Sequence, residues 1–485
     1  MHPDLRLSNQ NCTGIVAILP RGEAIRNFVY SGALDEVARE LSVTLLTVIP
    51  DEEYLESIGN GRFDLVIELA SRHDHRLLNL LREQLDISHG RYLWSVAARE
   101  RWRRRDYEAN TPVRKLKRAT KKLLAYPFAN RAGVELLSKV EQTASRAFRS
   151  TDEELNLLRE LNPSLVFNGS HVHSRNSIRV IHAARQLGVP TAAFIFSWDN
   201  LTSQGRIIPP YDYYLVWNEA IRDQLLKIYP AVQADQVFVT GTPQFDFHFR
   251  PEFFWAREEF CAKAGADPSR PIVLYTTGMD NHMPDEASVI EGVYESLRRM
   301  TRLGPPQLMV RLYPKDRRPE RFDDLRRRRP EILFPHIPWN KKWLTPRLED
   351  SYLLTNMLRH SALGVNIAST VSLELAMFDK PVINIGYNPP KAPGAEGLDS
   401  GPIDFATYYD FDHYRPLVQS GAVGVAWTED EMRRLLIEGL TEPHKDSHKR
   451  REFVRTMFGD SLDGKSGARV AQTLLRLCGR ANILR

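Results

Sequence analysis

Cysteine is scarce in this chain: 485 residues carry three, Cys12, Cys261 and Cys478, far apart. That spacing excludes a disulfide framework and a cysteine-based metal site, and it suits a reducing compartment. Long apolar runs are missing as well. None approaches the roughly 18–20 residues that cross a bilayer, and the most apolar stretches, Gly14–Leu19 and Val189–Phe196, are strand-sized. The start, Met1–Gln10, is polar and has no apolar core of a signal peptide. There is no repeat of about 20–50 residues and no low-complexity linker. These absences lead to the expectation of a cytoplasmic protein.

What is present is the composition of a globular protein, 42% hydrophobic and 26% charged, in a chain long enough for two or three domains. The net charge of +5 is unevenly spread. Between Arg99 and Lys122 there are eleven Lys or Arg against three Asp or Glu, so the remainder is slightly acidic. The wider segment 90–128 interleaves Tyr92, Trp94, Trp102, Tyr107, Tyr126 and Phe128 with these cations. Aromatics at headgroup level and cations on lipid phosphates suit an anionic membrane surface, on the cytoplasmic face, or a polyprenyl-phosphate acceptor. A solvated helical face is the plain alternative. No nucleic-acid module accompanies the patch, so nucleic acid is not an expected partner.

Short β-branched runs alternate with helical patterns, which predicts α/β units and parallel sheets. The expected strands are Thr13–Leu19, Leu45–Val48, Leu65–Leu69, Leu165–Asn168, Thr191–Phe196, Tyr214–Trp217 and Val237–Thr240, then Ile272–Thr276, Leu308–Leu312, Leu363–Asn366, Val382–Ile385 and Val423–Ala426. A helix is expected over Ser177–Leu187, another over roughly Glu252–Ala264, and a terminal one from Ser466 to about Leu477. The reading is an N-terminal Rossmann-like domain over 1–250, a second over 251–465, and a terminal helix over 466–485. Ligands of such sheets sit at the carboxyl ends of the strands.

The segment Gly364–Asn388 reads GVNIASTVSLELAMFDKPVINIGYN. A strand ends at Asn366, Ser369 and Thr370 stand where a helix N-cap belongs, and Glu374 falls one turn in. Such a start leaves backbone N–H groups for a phosphate, and an acidic residue nearby suits ribose hydroxyls. A capped helix with a dipole-favouring glutamate is the alternative.

This arrangement resembles the donor-site helix of GT-B glycosyltransferases and of the related UDP-N-acetylglucosamine 2-epimerases. Other pieces follow in the same order. Asn168–Asn176 (NGSHVHSRN) is similar to the acceptor loop of their first domain, and Val239–Asp246 (VTGTPQFD) to the turn that ends it. Met309–Asp316 (MVRLYPKD) resembles the strand end of CDP-glycerol transferases and surface-polysaccharide glycosyltransferases, with Tyr313 where those carry histidine. The terminal DGKSGARVAQTLL resembles the helix that crosses back onto the first domain. The resemblance spans about Asn162–Leu477, with Gly14–Glu36 as a first βα unit. It implies two facing Rossmann-like domains and a nucleotide-sugar substrate held mainly by the second. Where the epimerases carry acidic loops, this chain has Ser170–His171, Phe196–Asn200 and Thr276–Asn281. Without those acids a proton at C2 of the sugar has no evident carrier, so transfer is expected over epimerisation.

On that basis the donor would meet Arg311, Lys315, Ser369, Thr370 and Glu374. Arg311 and Lys315 would neutralise the leaving diphosphate, so no obligatory metal and no cofactor beyond the donor substrate are expected. Acid–base candidates lie in the first domain: His171 and Asp199 as catalytic groups, with Glu23, His173, Asn200 and Asp246 on the acceptor side. Turn chemistry explains any one of these equally well. The expected activity is sugar transfer to a surface polysaccharide or glycolipid, the acceptor being a saccharide or lipid-linked. The rivals are a CDP-glycerol or CMP-sugar transferase, a nucleotide-sugar 2-epimerase, and a non-catalytic binding protein on the same scaffold.

Overall fold

The structure is a computed structural model that describes residues 14–49, 61–69, 74–148, 151–171, 175–280, 283, 285–300, 305–388 and 404–483. Thr13 and His173 lie outside the described residues. Two parallel sheets organise the chain. The first has seven strands: β1 (Gly14–Leu19), β2 (Val43–Thr47), β3 (Leu65–Glu68), β4 (Pro163–Asn168), β5 (Thr191–Phe194), β6 (Tyr213–Val216) and β7 (Val237–Val239). Their order is β3-β2-β1-β4-β5-β6-β7, with Val16 paired to Thr44 on one side and Val166 on the other. The order turns about β1 and β4, the place where doubly wound sheets open a crevice. β1 is buried at all six positions, as an apolar run covered by helices on both faces must be.

The second sheet has five strands, β8 (Ile272–Thr276), β9 (Gln307–Arg311), β12 (Leu363–Asn366), β13 (Val382–Ile385) and β14 (Gly424–Ala426), in the order β14-β13-β12-β8-β9. An antiparallel ribbon of two short strands, β10 (Trp339–Asn340) and β11 (Thr345–Pro346), projects from this half. It reaches the first half at Gly22, where an added Cβ would stand 2.6 Å from the Thr345 Cα and 2.5 Å from its hydroxyl. Glycine is what permits that approach.

The terminal helix, Ser466–Ile483, packs against the Ala33–Ala38 helix and β4 of the first sheet. Its open end is held by Asp246, whose two carboxylate oxygens accept from the Ser466 N–H at 3.0 Å and the Gly467 N–H at 2.7 Å. The helix expected over Glu252–Ala264 is instead a 3-10 turn, Pro251–Phe253, and a helix over Arg257–Ala264. Asn356 separates them, accepting from the Trp255 N–H at 2.8 Å and donating to the Phe253 carbonyl at 2.8 Å.

Between β3 and β4 stand five helices for which the sequence reading named no elements: Arg76–Leu93, Val96–Glu108, Pro112–Ala125, Arg131–Phe148 and Asp152–Leu161. The basic segment occupies the second and third. Much of its charge is spent internally. Arg118 and Lys122 bind Asp106, Lys121 binds Glu83 at 2.6 Å, Arg103 binds Glu100, and Arg101 donates to the Ser203 carbonyl at 2.9 Å. No helix among the described residues is long and apolar enough to cross a membrane.

Candidate active site

The strand-end loops of both sheets converge on one cleft. Two adjoining cavities, ≈ 350 Å³ and ≈ 290 Å³, share Asp199, Thr277, Tyr313, Ser369 and Thr370. The larger takes Arg21, Glu23 and Arg26 from the bend and the short helical segments, Gly22–Ile25 and Arg26–Tyr30, that follow β1, and Arg311, Trp339, Asp350 and Glu374 from the second half. The smaller is aromatic, walled by Trp198, Tyr408, His413 and Tyr414. Both sit at carboxyl ends of parallel strands, and their volumes suit small-molecule ligands.

Charge in the larger cavity is arranged in clusters that join the two halves. Arg21 grips Glu23 with two bonds, 2.9 Å from Nε and 2.6 Å from Nη2, while Lys315 of the second half reaches the same carboxylate. Burial acts to raise the Glu23 pKa, but the two cations outweigh it and hold the carboxyl down at about 2. Two cations against one carboxylate leave this cluster net positive. Burial pushes the Lys315 and Arg26 pKa values down, opposed for Arg26 by Glu374, Glu23 and Asp350. Arg26 spends its donors on amides, the Asn27 side chain at 3.0 Å and that of Gln244 at 3.4 Å. Arg311 lies with Nη2 2.8 Å and 3.0 Å from the Asp350 oxygens, and Trp339 Nε1 donates to the same carboxylate at 2.7 Å. The other terminal nitrogen of Arg311, Nη1, is buried with no partner among the described residues.

Glu374 is nearly buried, and its Oε1 lies 3.2 Å from His248 Nε2; the other ring nitrogen of His248 meets the Thr355 hydroxyl at 2.9 Å. One carboxylate oxygen of Glu374 is thereby engaged across the domain boundary. Thr370 precedes the short Val371–Met377 helix without a side-chain cap, and Ser369 Oγ accepts from the Val371 N–H at 3.3 Å. The expected capping role thus falls to Ser369, because Thr370 is already in a helical conformation.

A buried polar network fixes the floor of the smaller cavity. Ser372 donates to Asn366, Asn384 Nδ2 bonds both, and the Tyr414 hydroxyl bridges Ser372 at 2.8 Å and Asn384 at 2.9 Å. Burial raises the Tyr414 pKa. The Thr276–Met279 loop is held from below by Glu286, which accepts from the Gly278 N–H at 2.9 Å, from the Tyr275 hydroxyl and from Arg321. Burial pushes that glutamate up to about 8. His413 stacks edge-on against Trp198 at 5.0 Å, its Nδ1 is buried without a partner among the described residues, and burial lowers its pKa while Asp199 and Asp412 oppose.

The predicted residues divide. Asp199, Asn200, Glu23, Arg311, Ser369, Thr370 and Glu374 line the cleft. Asp199 accepts from the Ser203 hydroxyl at 2.5 Å, and Asn200 accepts from the Ser197 N–H at 2.9 Å. Lys315 stands behind Glu23 and is not on the wall. His171 is not on the wall either: its Nδ1 pairs with the Phe194 carbonyl at 3.2 Å and burial pushes its pKa down to about 4. Asp246, expected on the acceptor side, anchors the terminal helix, and burial raises its pKa against the bonds from Gly467 and Ser466. Arg21, Arg26, His248, Trp339 and His413 were missed. Only Arg21 and Arg26 carried a signal, as cations immediately after the first strand. The expectation of a metal-free site also passed over one Asp-x-Asp run, Asp410–Asp412. Asp412 accepts from the Val96 N–H at 3.0 Å, and among the described residues no group of three His, Cys, Asp or Glu is placed to hold a metal ion.

No protein-family model matches the chain, and no curated protein matches it in sequence. Solved structures match it in fold. A UDP-N-acetylglucosamine 2-epimerase is 13% identical, with a TM-score of 0.53 over 97% of this chain and 97% of that one. The UDP-GlcNAc 2-epimerase of Neisseria meningitidis bound to UDP-GlcNAc is 10% identical, with a TM-score of 0.54 over 96% and 100%. That of Methanocaldococcus jannaschii in complex with UDP-GlcNAc and UDP is 12% identical, with a TM-score of 0.50 over 96% and 100%. The likeness is one of architecture: this chain has the GT-B arrangement of two facing Rossmann-like domains, with the last helix returned to the first.

Proposed function

We propose that this protein is a nucleotide-sugar-dependent glycosyltransferase that works without a metal ion, acting on a saccharide or lipid-linked acceptor. The observation that carries the reading is the convergence of Arg21 and Arg26 from one domain with Arg311 from the other on a single cleft beside Ser369 and Thr370. A diphosphate placed there would meet cations from both sides, which stabilises the charge that develops on a leaving nucleotide. The buried Nη1 of Arg311, without a partner among the described residues, would be one donor for it. The ribose would lie towards Glu374, and the sugar ring would enter the aromatic lobe, where its apolar face meets Trp198 and Tyr408. Asp199 lines both lobes, and it would act there as the base for an acceptor hydroxyl.

Titration calorimetry with UDP, GDP, CDP and CMP tests the donor site. One of them should bind, and Arg311→Ala should weaken it about tenfold or more. If none binds, the fold serves as a scaffold and the enzymatic reading is lost. A second reading is a nucleotide-sugar 2-epimerase, as the matched structures are in name. Incubating UDP-GlcNAc in D2O without acceptor separates the two: deuterium at C2 of the sugar marks an epimerase, and its absence with NDP release on adding acceptor marks a transferase.

A further inference from the structure

The Pro112–Ala125 helix turns its apolar side outward. Thr111 caps it, its hydroxyl accepting from the Arg114 N–H at 3.3 Å, and Pro112 fills the first position. At helical spacing Val113, Leu116, Thr120, Leu123 and Leu124 share one face. The four aliphatic side chains are 63%, 70%, 75% and 58% exposed, while Ala125 on the opposite side is buried. The contacts of that opposite side fix the orientation. Arg118 binds Asp106 at 2.9 Å, Lys121 binds Glu83 at 2.6 Å, and Trp102 lies beneath Arg118 and Lys122 at 5.2 Å and 5.0 Å. Lys117 borders the apolar stripe on one edge, and Lys115 lies beyond Ala119 on the other; both lysines are exposed, and neither forms an ion pair among the described residues. An exposed aliphatic stripe edged by lysines is the pattern of a helix that lies in a membrane interface.

We infer that this face is a docking surface for an anionic lipid bilayer. Val113, Leu116, Leu123 and Leu124 enter below the headgroups, and Lys115 and Lys117 rest on lipid phosphates. Charge decides between occupants: two copies facing each other through this stripe would bring their lysine edges together, whereas a bilayer bearing phosphates complements them. The surface has a fixed relation to the cleft. The neighbouring Val96–Glu108 helix is tied to it at three points: Ser95 Oγ to the Thr202 carbonyl at 2.7 Å, Arg101 to the Ser203 carbonyl, and the Val96 N–H to Asp412. Asp199 and His413 are the cleft residues next to those attachments. A docked bilayer would therefore lie beside the acceptor end of the cleft; that clause rests on the transferase reading, while the docking itself does not.

Sedimentation of the full chain with vesicles tests it. The wild type should pellet with phosphatidylcholine vesicles containing phosphatidylglycerol, release at high salt, and stay in solution with phosphatidylcholine alone. Leu116→Gln combined with Leu123→Gln should lower partitioning about tenfold or more with an unchanged melting temperature, since both positions face solvent. Lys115→Gln with Lys117→Gln should lower it at low salt. The inference is overturned if the wild type ignores anionic vesicles at low salt, or if the leucine variant pellets as well as the wild type. It is also overturned if the free protein is a dimer that the leucine variant converts to a monomer. Nucleotide binding followed on the same samples keeps this outcome separate from the fate of the donor site.

Discussion

His248 Nε2 lies 3.2 Å from Glu374 Oε1, joining the turn after the last strand of the first sheet to the helix after β12 of the second. The pair sits on the boundary between the two domains, almost out of solvent, and Glu374 also lines the larger cavity. The glutamate therefore both ties the two halves through one oxygen and stands on the cleft wall, so a domain contact and, on the proposed reading, a ligand contact meet in one side chain.

The two contacts separate by substitution. Glu374→Ala should weaken nucleotide binding and also destabilise the fold by about 1–3 kcal/mol, because His248 is left buried with an unmet nitrogen. Glu374→Gln preserves a hydrogen bond to the imidazole, so it should keep the melting temperature within a degree or two of wild type while still weakening the nucleotide. Calorimetry and thermal melts on both variants check this. Equal nucleotide affinity in all three proteins would remove Glu374 from the site.

Gly22 lies against the backbone of Thr345, so the approach of the β10–β11 ribbon to the first domain depends on the missing side chain. Gly22→Ala should force the ribbon away and lower stability by roughly 1–3 kcal/mol, as overpacking does. Because Trp339 on the ribbon lines the cavity and holds Asp350, nucleotide affinity should fall with it. A variant with wild-type melting and affinity would show that the ribbon moves freely.

Glu23 gives a pH signature. Its folded pKa of about 2 lies below the ordinary value of 4.5, so its ion pairs stabilise the folded state above that ordinary value. The contribution, roughly 3 kcal/mol when fully present, is lost as pH falls through 4.5 towards 2. Glu23→Gln should therefore melt lower than wild type at neutral pH, and the gap should close as the pH approaches 2. A gap that persists unchanged in acid would mean that packing, and not charge, holds this corner together.

Strands were legible because β-branched runs bounded by Gly, Pro and Asp leave few alternatives. β8, β12 and β13 stand at the expected residues, and the other expected strands shift by one or two positions at their ends. The helices between β3 and β4 were not. The Val96–Glu108 helix carries its arginines all around, with no apolar stripe to read, while the Pro112–Ala125 helix has a stripe that points outwards. At the site, Glu374 and Asp199 were visible because each follows a strand at a short, fixed distance. His248 and His413 were not. Each reaches its place through a loop whose path depends on contacts more than a hundred residues away in sequence, such as His248 with Thr355 and Glu374. Asp246 misled for the same reason, its partner being the last helix.

Chelator provides a test of how the leaving group is neutralised. With Arg21, Arg26 and Arg311 in that role, transfer should proceed at an unchanged rate in excess EDTA. Loss of activity that magnesium or manganese restores would assign the charge to a metal, with Asp410 and Asp412 the first residues to examine.

Two acid–base candidates that the sequence left equal differ in the structure. Asp199 lines both cavities, with one oxygen bonded to the Ser203 hydroxyl. His171 is off the wall, paired with a main-chain carbonyl and held neutral at ordinary pH by a pKa pushed down to about 4. A base must come within hydrogen-bond reach of the proton it removes, and of these two residues only Asp199 is on the cleft wall. Asp199→Asn should lower kcat by about a hundredfold or more at saturating donor while leaving nucleotide affinity near wild type. His171→Ala should do the reverse of a catalytic variant, lowering the melting temperature through a lost bond and an opened cavity with kcat within a few-fold. The pair of measurements discriminates because each variant predicts the loss that the other lacks. If Asp199→Asn turns over normally, the base is elsewhere on the wall, and His413, whose buried Nδ1 beside Trp198 has no partner among the described residues, is the next side chain to change.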